Sequence, residues 1–312
     1  MTKNWVSKSG CEYIDRRDWS KYNEELVLHG EFLLDLDWIR KGWTTELSIM
    51  NHNKCGAPFQ FPESLIKLQA VWAQLVDYRE VEGITRRVCA TAQIPDFNDY
   101  STINRRVNKL DLYFELPKQG FVSVSTDGTG MKLNNSGEYR QDKYGKNRNK
   151  KFVKVILSAN PLTKDLLFCD VSFDDEGHSE PQIAKKDMQS LIDQGKVVDK
   201  FWGDGSFDVK ELFNFLEQNT IDSAIKIRSN ASDNAKGSMR RAREIAEYKS
   251  KDYVWWARDK SYGLRWLGTE VIFSAVKRKY HENIRSTELE NIKKEAKRKF
   301  WAYKTVRAYA KA

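Results

Sequence analysis

From about residue 116 onward, strand-like and helix-like segments follow one another in an order that few folds can accommodate. Strand patterns occupy residues 121–126, 151–158, 166–173, 197–202 and 222–228, and helical segments occupy 181–194, 209–218, 269–283 and most of 288–309. The first three strands follow one another directly, which favours antiparallel pairing, whereas strands separated by helices pair in parallel. The pattern therefore predicts an α/β fold with a mixed sheet flanked by helices.

The preceding residues have a different texture, because their apolar side chains recur at helical spacing. Helices are predicted at residues 15–50, 63–77 and 79–92, with a further short helix that Ser101 would cap. We therefore divide the chain into a mainly helical N-terminal domain, residues 1–115, and an α/β domain, residues 116–312. A short turn before a helix that carries Arg105 and Arg106 is compatible with a DNA-reading helix-turn-helix, and equally with an ordinary helical hairpin.

Composition excludes several classes of protein. Hydrophobic residues make up 40% of the chain and aromatic residues 12%, which predicts a folded globule rather than disorder. No apolar run approaches the roughly 20 residues of a membrane span, and no signal-peptide core is present. The four cysteines are far apart, which indicates free or buried thiols in a reducing compartment. The four histidines do not have the spacing of a zinc site. We expect a cytoplasmic protein without a membrane partner.

The net charge of +9 is unevenly distributed. Residues 1–120 hold 16 basic and 17 acidic side chains, so the whole excess lies in the remainder of the chain. One basic cluster, 140–154, has seven Lys or Arg residues against one Asp, and a second, 277–312, has 12 basic and four acidic residues. Basic surface beside carboxylates favours a phosphodiester substrate. The alternative for the second cluster is an ordinary solvated, lysine-rich helix.

Three acidic residues are candidates for a shared site. Asp127 and Asp204 each follow a strand pattern and precede a glycine, and Glu270 lies in a nearly apolar helical segment. Ends of neighbouring strands lie about 4.8 Å apart, so such carboxylates can hold a pair of hard cations for phosphodiester chemistry. Taken singly, an Asp-Gly pair is most often a turn. Glu270 could also form a structural ion pair with Lys277, which lies two helical turns further on.

Together these segments resemble the DDE transposases of bacterial and archaeal insertion sequences, whose catalytic domain has a ribonuclease H-like fold. The matching blocks, in chain order, are Asp127-Gly-Thr-Gly-Met-Lys with Gly137-Glu-Tyr, Gly203-Asp204-Gly-Ser-Phe-Asp208, and Glu270-x-x-Phe-Ser-x-x-Lys277-Arg. Asp99-Tyr-Ser-Thr-Ile-x-Arg-Arg resembles a family segment thought to help hold transposon ends. The resemblance implies that Asp127, Asp204 and Glu270 are catalytic and bind two Mg²⁺ or Mn²⁺ ions.

The resemblance also implies the partners and the reaction. We expect a nucleoid-associated endonuclease that binds double-stranded DNA, pairs two terminal inverted repeats as a homodimer, and joins the cut 3′ ends to target DNA. Tyr262-x-x-Arg265 and Glu270-x₆-Lys277 match a motif of one subgroup, although four residues rather than three separate Arg265 from Glu270. The candidate DNA-contacting residues are Lys277, Arg278, Arg265, Arg105, Arg106, Arg148, Lys150 and Lys151.

Two other functions fit the same residues. One is a ribonuclease H-like nuclease that cuts DNA without joining it, and the other is a domesticated, non-enzymatic DNA-binding derivative, against which the intact acidic triad argues. Trp255 and Trp256 also have two interpretations. Aromatic residues beside Arg258 can stack on a flipped or terminal base, but tryptophans of this kind are more commonly part of the core.

Overall fold

The computed structural model describes residues 18–37, 42–94, 96–118, 120–133, 152–173, 179–232, 234 and 237–311. It also contains two short strands, β1 (Trp5–Val6) and β2 (Glu12–Tyr13), which pair with each other in antiparallel orientation. Three predicted DNA-contacting residues, Arg148, Lys150 and Lys151, lie outside the described residues, and so does the Gly137-Glu-Tyr segment.

The N-terminal part is helical, as predicted. Its elements are α1 (Trp19–Glu31), a 3₁₀ turn (Phe32–Leu34), α2 (Trp43–Asn51), α3 (Glu63–Trp72), α4 (Tyr78–Thr91) and α5 (Tyr100–Val107). In the described part of residues 15–50, α1 and α2 are separate helices rather than one continuous helix, and Gly42, at φ 81°, precedes the second. Asp99, not Ser101, caps α5, because its carboxylate accepts hydrogen bonds from the N–H groups of Ser101 and Thr102.

In the part of the chain that the structure describes, the sheet has six strands and mixed pairing, which confirms the predicted fold class. The strands are β3 (Phe121–Leu133), β4 (Phe152–Asn160), β5 (Asp165–Phe173), β6 (Val197–Gly203), β7 (Asp222–Ile225) and β8 (Asn283–Ile284). Their order is β5-β4-β3-β6-β7, antiparallel from β5 to β3 and parallel from β3 to β7. Strand β8, which was not predicted, pairs with the last two residues of β3.

Among the residues that the structure describes, six helices accompany the sheet. They are α6 (Glu180–Asp193), α7 (Lys210–Gln218), α8 (Met239–Ser250), α9 (Tyr253–Asp259), α10 (Leu264–Tyr280) and α11 (Leu289–Tyr309). The sequence predicted α6, α7, α10 and α11 but neither α8 nor α9. None of the helices in the described part of the chain is long and apolar enough to cross a membrane.

Two hydrophobic clusters bury the two faces of the sheet. Helices α6 and α7 cover the first cluster, which includes Val124, Phe201 and Phe213. The second cluster combines residues of the sheet with residues of α10, of α11 and of the N-terminal helices. Its members include Leu65, Trp72, Ile103, Val155, Leu157, Phe273 and Phe300. Apolar packing is therefore continuous across the proposed boundary at residue 115, and the division into two domains stays a prediction.

The basic C-terminal cluster was expected either to contact DNA or to form an ordinary solvated helix. Some of its basic side chains on α11 are instead buried in the protein. Arg298 and Lys299 are each only 2% exposed, and the Lys299 ammonium group donates to the Tyr280 carbonyl at 2.5 Å. Lys304 donates to the Leu166 carbonyl at 2.7 Å, and Arg307 to the Lys164 carbonyl. Burial lowers the pKa of Lys299 and of Lys304 to about 8. Arg298 and Lys299 are therefore neither solvated nor free to contact DNA, and the partly buried Lys304 and Arg307 hold the helix to the rest of the protein.

Candidate active site

Asp127 and Asp204 follow the last paired residues of two neighbouring parallel strands. Ser125 of β3 is paired with Trp202 of β6, and each aspartate lies two residues further along the chain. Neighbouring strands lie about 4.8 Å apart where they are paired, so the two chain segments leave the pairing from adjacent positions.

One detail differs from the expectation that Asp127 ends its strand. Strand β3 continues to Leu133, because β4 remains paired with it beyond Asp127, which lies opposite Leu157. Only the pairing with β6 stops, at Ser125 and Trp202. Asp127 therefore lies at the fork where β3 continues with β4 and separates from β6.

The Asp127 carboxylate is surrounded by charge of both signs. Its Oδ1 accepts a hydrogen bond from the Gly128 N–H at 2.8 Å, and its Oδ2 lies 3.1 Å from a guanidinium nitrogen of Arg265. Burial raises the pKa of Asp127 to about 6, and the negative charges of Asp204 and Glu270 raise it as well. The hydrogen bond from Gly128 and the positive charge of Arg265 act in the opposite direction and lower it. All three predicted acids are thus close enough to interact electrostatically.

Asp204 lies at the start of a tight turn. Its Oδ1 accepts hydrogen bonds from the backbone N–H and the hydroxyl of Ser206, at 2.7 and 2.6 Å, so it caps the 3₁₀ turn Gly205–Phe207. Arg228 supports this turn from the side, since its guanidinium donates to the Gly205 carbonyl at 2.6 Å and to the Ser206 carbonyl at 3.1 Å. The backbone that carries Asp204 is therefore held at two consecutive carbonyls.

Asp208 anchors the far end of the same turn. Its buried carboxylate accepts two hydrogen bonds from the Arg241 guanidinium, at 2.6 and 3.1 Å, and one from the Arg228 N–H at 3.2 Å. The two-pronged pair fixes both the distance and the orientation of the groups. The sequence marked Asp208 only as part of a motif and did not identify either arginine.

Helix α10, which carries Glu270, packs closely on β3. A Cβ atom on Gly268 would lie 3.2 Å from the Ser125 Cβ and 3.4 Å from Pro161, so the glycine permits this approach. Lys277 does not form the proposed ion pair with Glu270. Its ammonium group donates instead to Thr129 Oγ1 at 2.8 Å and to the Gly130 carbonyl at 3.0 Å, which fastens α10 to β3.

The other candidate DNA-contacting residues lie in different settings. Arg278 is exposed on α10, and its Nε donates to the Ser274 carbonyl of the same helix at 3.2 Å. Arg105 is exposed on α5. Arg106 is half-buried, with its guanidinium 4.5 Å from the Phe59 ring, and burial lowers its pKa. Arg106 therefore packs within the N-terminal helices.

The two tryptophans differ from each other. Trp256 is 1% exposed and packs against Tyr248 and Tyr262, with ring centroids 4.9 and 5.1 Å away. Its core interpretation is correct. Trp255 is 65% exposed, with the Arg258 guanidinium 5.7 Å from its ring. Only Trp255 presents a face that could stack on a base.

A fourth acidic residue, Glu180, was missed by sequence reasoning. Its Oε1 lies 3.0 Å from the Lys154 ammonium group, and its Oε2 accepts a hydrogen bond from the Ser206 hydroxyl at 2.8 Å. It is also close to β3, because a Cβ on Gly128 would lie 2.6 Å from Oε1. Glu180 is the first residue of α6, where acidic residues are common for helix-dipole reasons, so nothing in the sequence distinguished it.

The chemistry of these donors fits a hard divalent cation. Carboxylate oxygens are the ligands that Mg²⁺ and Mn²⁺ prefer, and the absence of a side chain at Gly128 leaves room for the Glu180 carboxylate. Among the residues that the structure describes, however, no three acidic, histidine or cysteine side chains are gathered into a finished metal cage. Arg265 supplies the positive charge next to Asp127 in this arrangement.

A three-stranded antiparallel unit that continues into parallel strands, with acidic residues at the fork and on a crossing helix, defines a ribonuclease H-like catalytic domain. The family model described as the Transposase DDE domain matches residues 120–304, which is more than half of the chain. The chain therefore belongs to the transposase DDE domain family, and the family resemblance seen in the sequence is confirmed.

Proposed function

We propose that this transposase binds the terminal inverted repeats of its own element and transfers the cut ends to target DNA. Asp127, Asp204 and Glu270 are the catalytic triad in this proposal. The observation that supports it is the parallel register of Ser125 with Trp202, because each aspartate lies two residues beyond this pair. The negative charge of Glu270, which contributes to the raised pKa of Asp127, supports the inclusion of Glu270.

The triad would hold two Mg²⁺ or Mn²⁺ ions. Such ions activate the attacking water or 3′-hydroxyl and stabilise the leaving oxygen. Arg265 and Lys277 line the same region of β3, and we assign them, with Arg278, to the phosphates near the scissile bond. Because Arg265 neutralises Asp127 in the present arrangement, its guanidinium becomes available for a phosphate once other positive charge lies beside the carboxylate.

DNA outside the cleavage site would be held by the more remote basic residues. Arg105 and Arg106 are assigned to the transposon end, and Arg148, Lys150 and Lys151 to backbone contacts of no sequence preference. Binding of this kind weakens steeply with salt, because each phosphate contact releases counterions. We infer that two copies of the chain pair two ends, and that the protein works at the nucleoid.

The test uses the purified full chain, labelled end DNA, a supercoiled target plasmid and Mg²⁺. Asp127→Asn, Asp204→Asn and Glu270→Gln should each reduce cleavage and joining by at least about 1,000-fold, with little change in DNA affinity. Glu290→Gln, an equivalent change at an exposed position of α11, is the matched control and should retain full activity. Substantial cleavage by any one triad variant would remove that residue from the proposed site.

The products also separate the proposal from its two alternatives. Joined end–target molecules support a transposase, whereas cut ends without joined product indicate a nuclease. Binding without either product, for the unmodified chain in Mg²⁺ and in Mn²⁺, indicates a DNA-binding derivative. Each of the last two results contradicts the proposal.

A further inference from the structure

Glu180 lies against both strands that carry the proposed catalytic aspartates. Its carboxylate lies over Gly128, the residue after Asp127, and contacts Ser206, two residues after Asp204. The Glu180 side chain is 19% exposed, so this position is largely enclosed. An alanine side chain at residue 128 would collide with the Glu180 carboxylate, so this carboxylate can take its position only because residue 128 is a glycine.

The Ser206 hydroxyl is shared between two carboxylates. Its oxygen lies 2.6 Å from Asp204 Oδ1 and 2.8 Å from Glu180 Oε2, but a serine hydroxyl has only one hydrogen to donate. Asp204 Oδ1 also receives the Ser206 backbone N–H. Movement or loss of the Glu180 carboxylate therefore changes where the hydroxyl hydrogen points, and with it the hydrogen bonding of Asp204.

Lys154 balances the charge of Glu180. Its ammonium group lies 3.0 Å from Glu180 Oε1, and its own position in β4 is opposite Gly130 of β3. The pair is partly enclosed, with 31% and 19% of the two side chains exposed, so its charges are screened less than those of a surface pair. Removal of either partner leaves the other charge to act on the neighbouring carboxylates.

We propose that Glu180 is a positioning residue of the metal site, which orients Asp204 through Ser206 and adds negative charge that Lys154 partly cancels. This inference rests on the proposed function, because it assumes that Asp204 is a metal ligand. It adds to the triad a fourth acid from α6, and a lysine from β4 that tunes the affinity for the cation.

The experiment measures Mn²⁺ binding directly, by titration of the purified full chain with Mn²⁺ while the free ion is followed by electron paramagnetic resonance. Glu180→Gln should weaken Mn²⁺ binding about 10-fold, as loss of an outer partner of a metal ligand commonly does. Lys154→Gln should strengthen it, by about 3-fold, because the charge of Glu180 is then no longer cancelled.

The opposite signs separate this role from a merely structural one. Both substitutions break the same ion pair, so a role limited to stability would move Mn²⁺ affinity in the same direction for both. Glu211→Gln and Lys185→Gln remove one charge of each sign from the same cleft and serve as matched controls that should change little. Thermal unfolding midpoints identify any variant that does not fold, and Glu180→Asp, which keeps the charge, then replaces Glu180→Gln and should weaken binding less than about 10-fold.

Two failures can be told apart. If Asp204→Asn and Glu270→Gln weaken Mn²⁺ binding but Glu180→Gln does not, or if Lys154→Gln also weakens it, the role of Glu180 is wrong while the proposed function stands. If the triad variants bind Mn²⁺ as tightly as the unmodified chain, the metal site itself is wrong, and both proposals fall.

Discussion

A guanidinium nitrogen of Arg265 lies 3.1 Å from Oδ2 of Asp127, so a buried arginine holds the first acid of the proposed triad. Arg265 is 8% exposed and is flanked by the rings of Tyr262 and Trp266, with its guanidinium 5.6 and 4.7 Å from their centroids. The pair joins α10 to β3 at the fork of the sheet. It also compensates a carboxylate that would otherwise be buried without a counter-charge.

Arg265→Gln should lower the free energy of unfolding by about 2 kcal/mol in the presence of a chelator, because the buried Asp127 carboxylate then lacks its counter-charge. Saturating Mn²⁺ should reverse part of this loss, since a bound cation replaces the missing charge. Urea unfolding with and without Mn²⁺ measures both effects. Arg258→Gln, which removes an arginine beside exposed Trp255, is the control. An equal loss under both conditions would contradict the idea that arginine and cation act on the same carboxylate.

Asp208→Asn should destabilise the protein by about 3 kcal/mol, because it leaves the largely buried Arg241 without its counter-charge. It should also reduce DNA cleavage more than DNA binding, since the turn that carries Asp204 loses its anchor. Glu217→Gln breaks the exposed Arg243–Glu217 pair and should cost less than about 1 kcal/mol. Chemical unfolding and a cleavage assay on both variants make the comparison. Similar losses for the two pairs would show that burial of Asp208 has no special effect.

Gly203→Ala should destabilise the protein by about 2 kcal/mol, because an added Cβ would lie only 2.7 to 2.9 Å from atoms of the buried Phe207 side chain. Phe207 would have to move, and the adjacent turn with it. Gly205→Ala is a matched control two residues away, where the nearest atom to an added Cβ is 3.7 Å distant. Thermal unfolding and cleavage rates should fall for the first variant and remain near those of the unmodified chain for the second. The reverse order would contradict the packing at this turn.

Asp187 should make stability depend on pH. Its carboxylate accepts a hydrogen bond from Ser158 at 2.6 Å, and burial raises its pKa from 3.8 to about 7. Between these values the folded state holds a proton that the unfolded state has lost, so the free energy of unfolding falls as the pH rises. Asp187→Asn removes this dependence and should gain about 3 kcal/mol relative to the unmodified chain between pH 4 and pH 7, at up to about 1.4 kcal/mol per pH unit.

Urea unfolding across that pH range measures the effect. Asp193→Asn, at the exposed end of the same helix, is the matched control and should follow the unmodified chain. A pH-independent difference between Asp187→Asn and the unmodified chain would mean that Asp187 is already ionised in the folded protein at pH 4.

The local elements were largely predictable because their signals are local. Alternating apolar residues define β3, and the apolar stretch around Phe273 defines α10, since both patterns depend on neighbours within a few residues. Helices α8 and α9 escaped prediction, because α8 is dominated by charged residues and buries only Ile245, and α9 is seven residues long. The three acids could be proposed from motif order and spacing, although the sequence did not test their role.

The partners of those acids depended on contacts between residues that are far apart in the chain. Glu180 reaches Ser206, and Arg241 reaches Asp208, only because α6 and α8 pack beside the β6 turn. The lysines and arginines of α11 likewise became structural because backbone carbonyls of other segments lie within their reach. The sequence by itself determined the order of elements and the candidate acids. Strand register and helix packing decided which charge neutralises which, because those contacts form only when the sheet and its helices assemble.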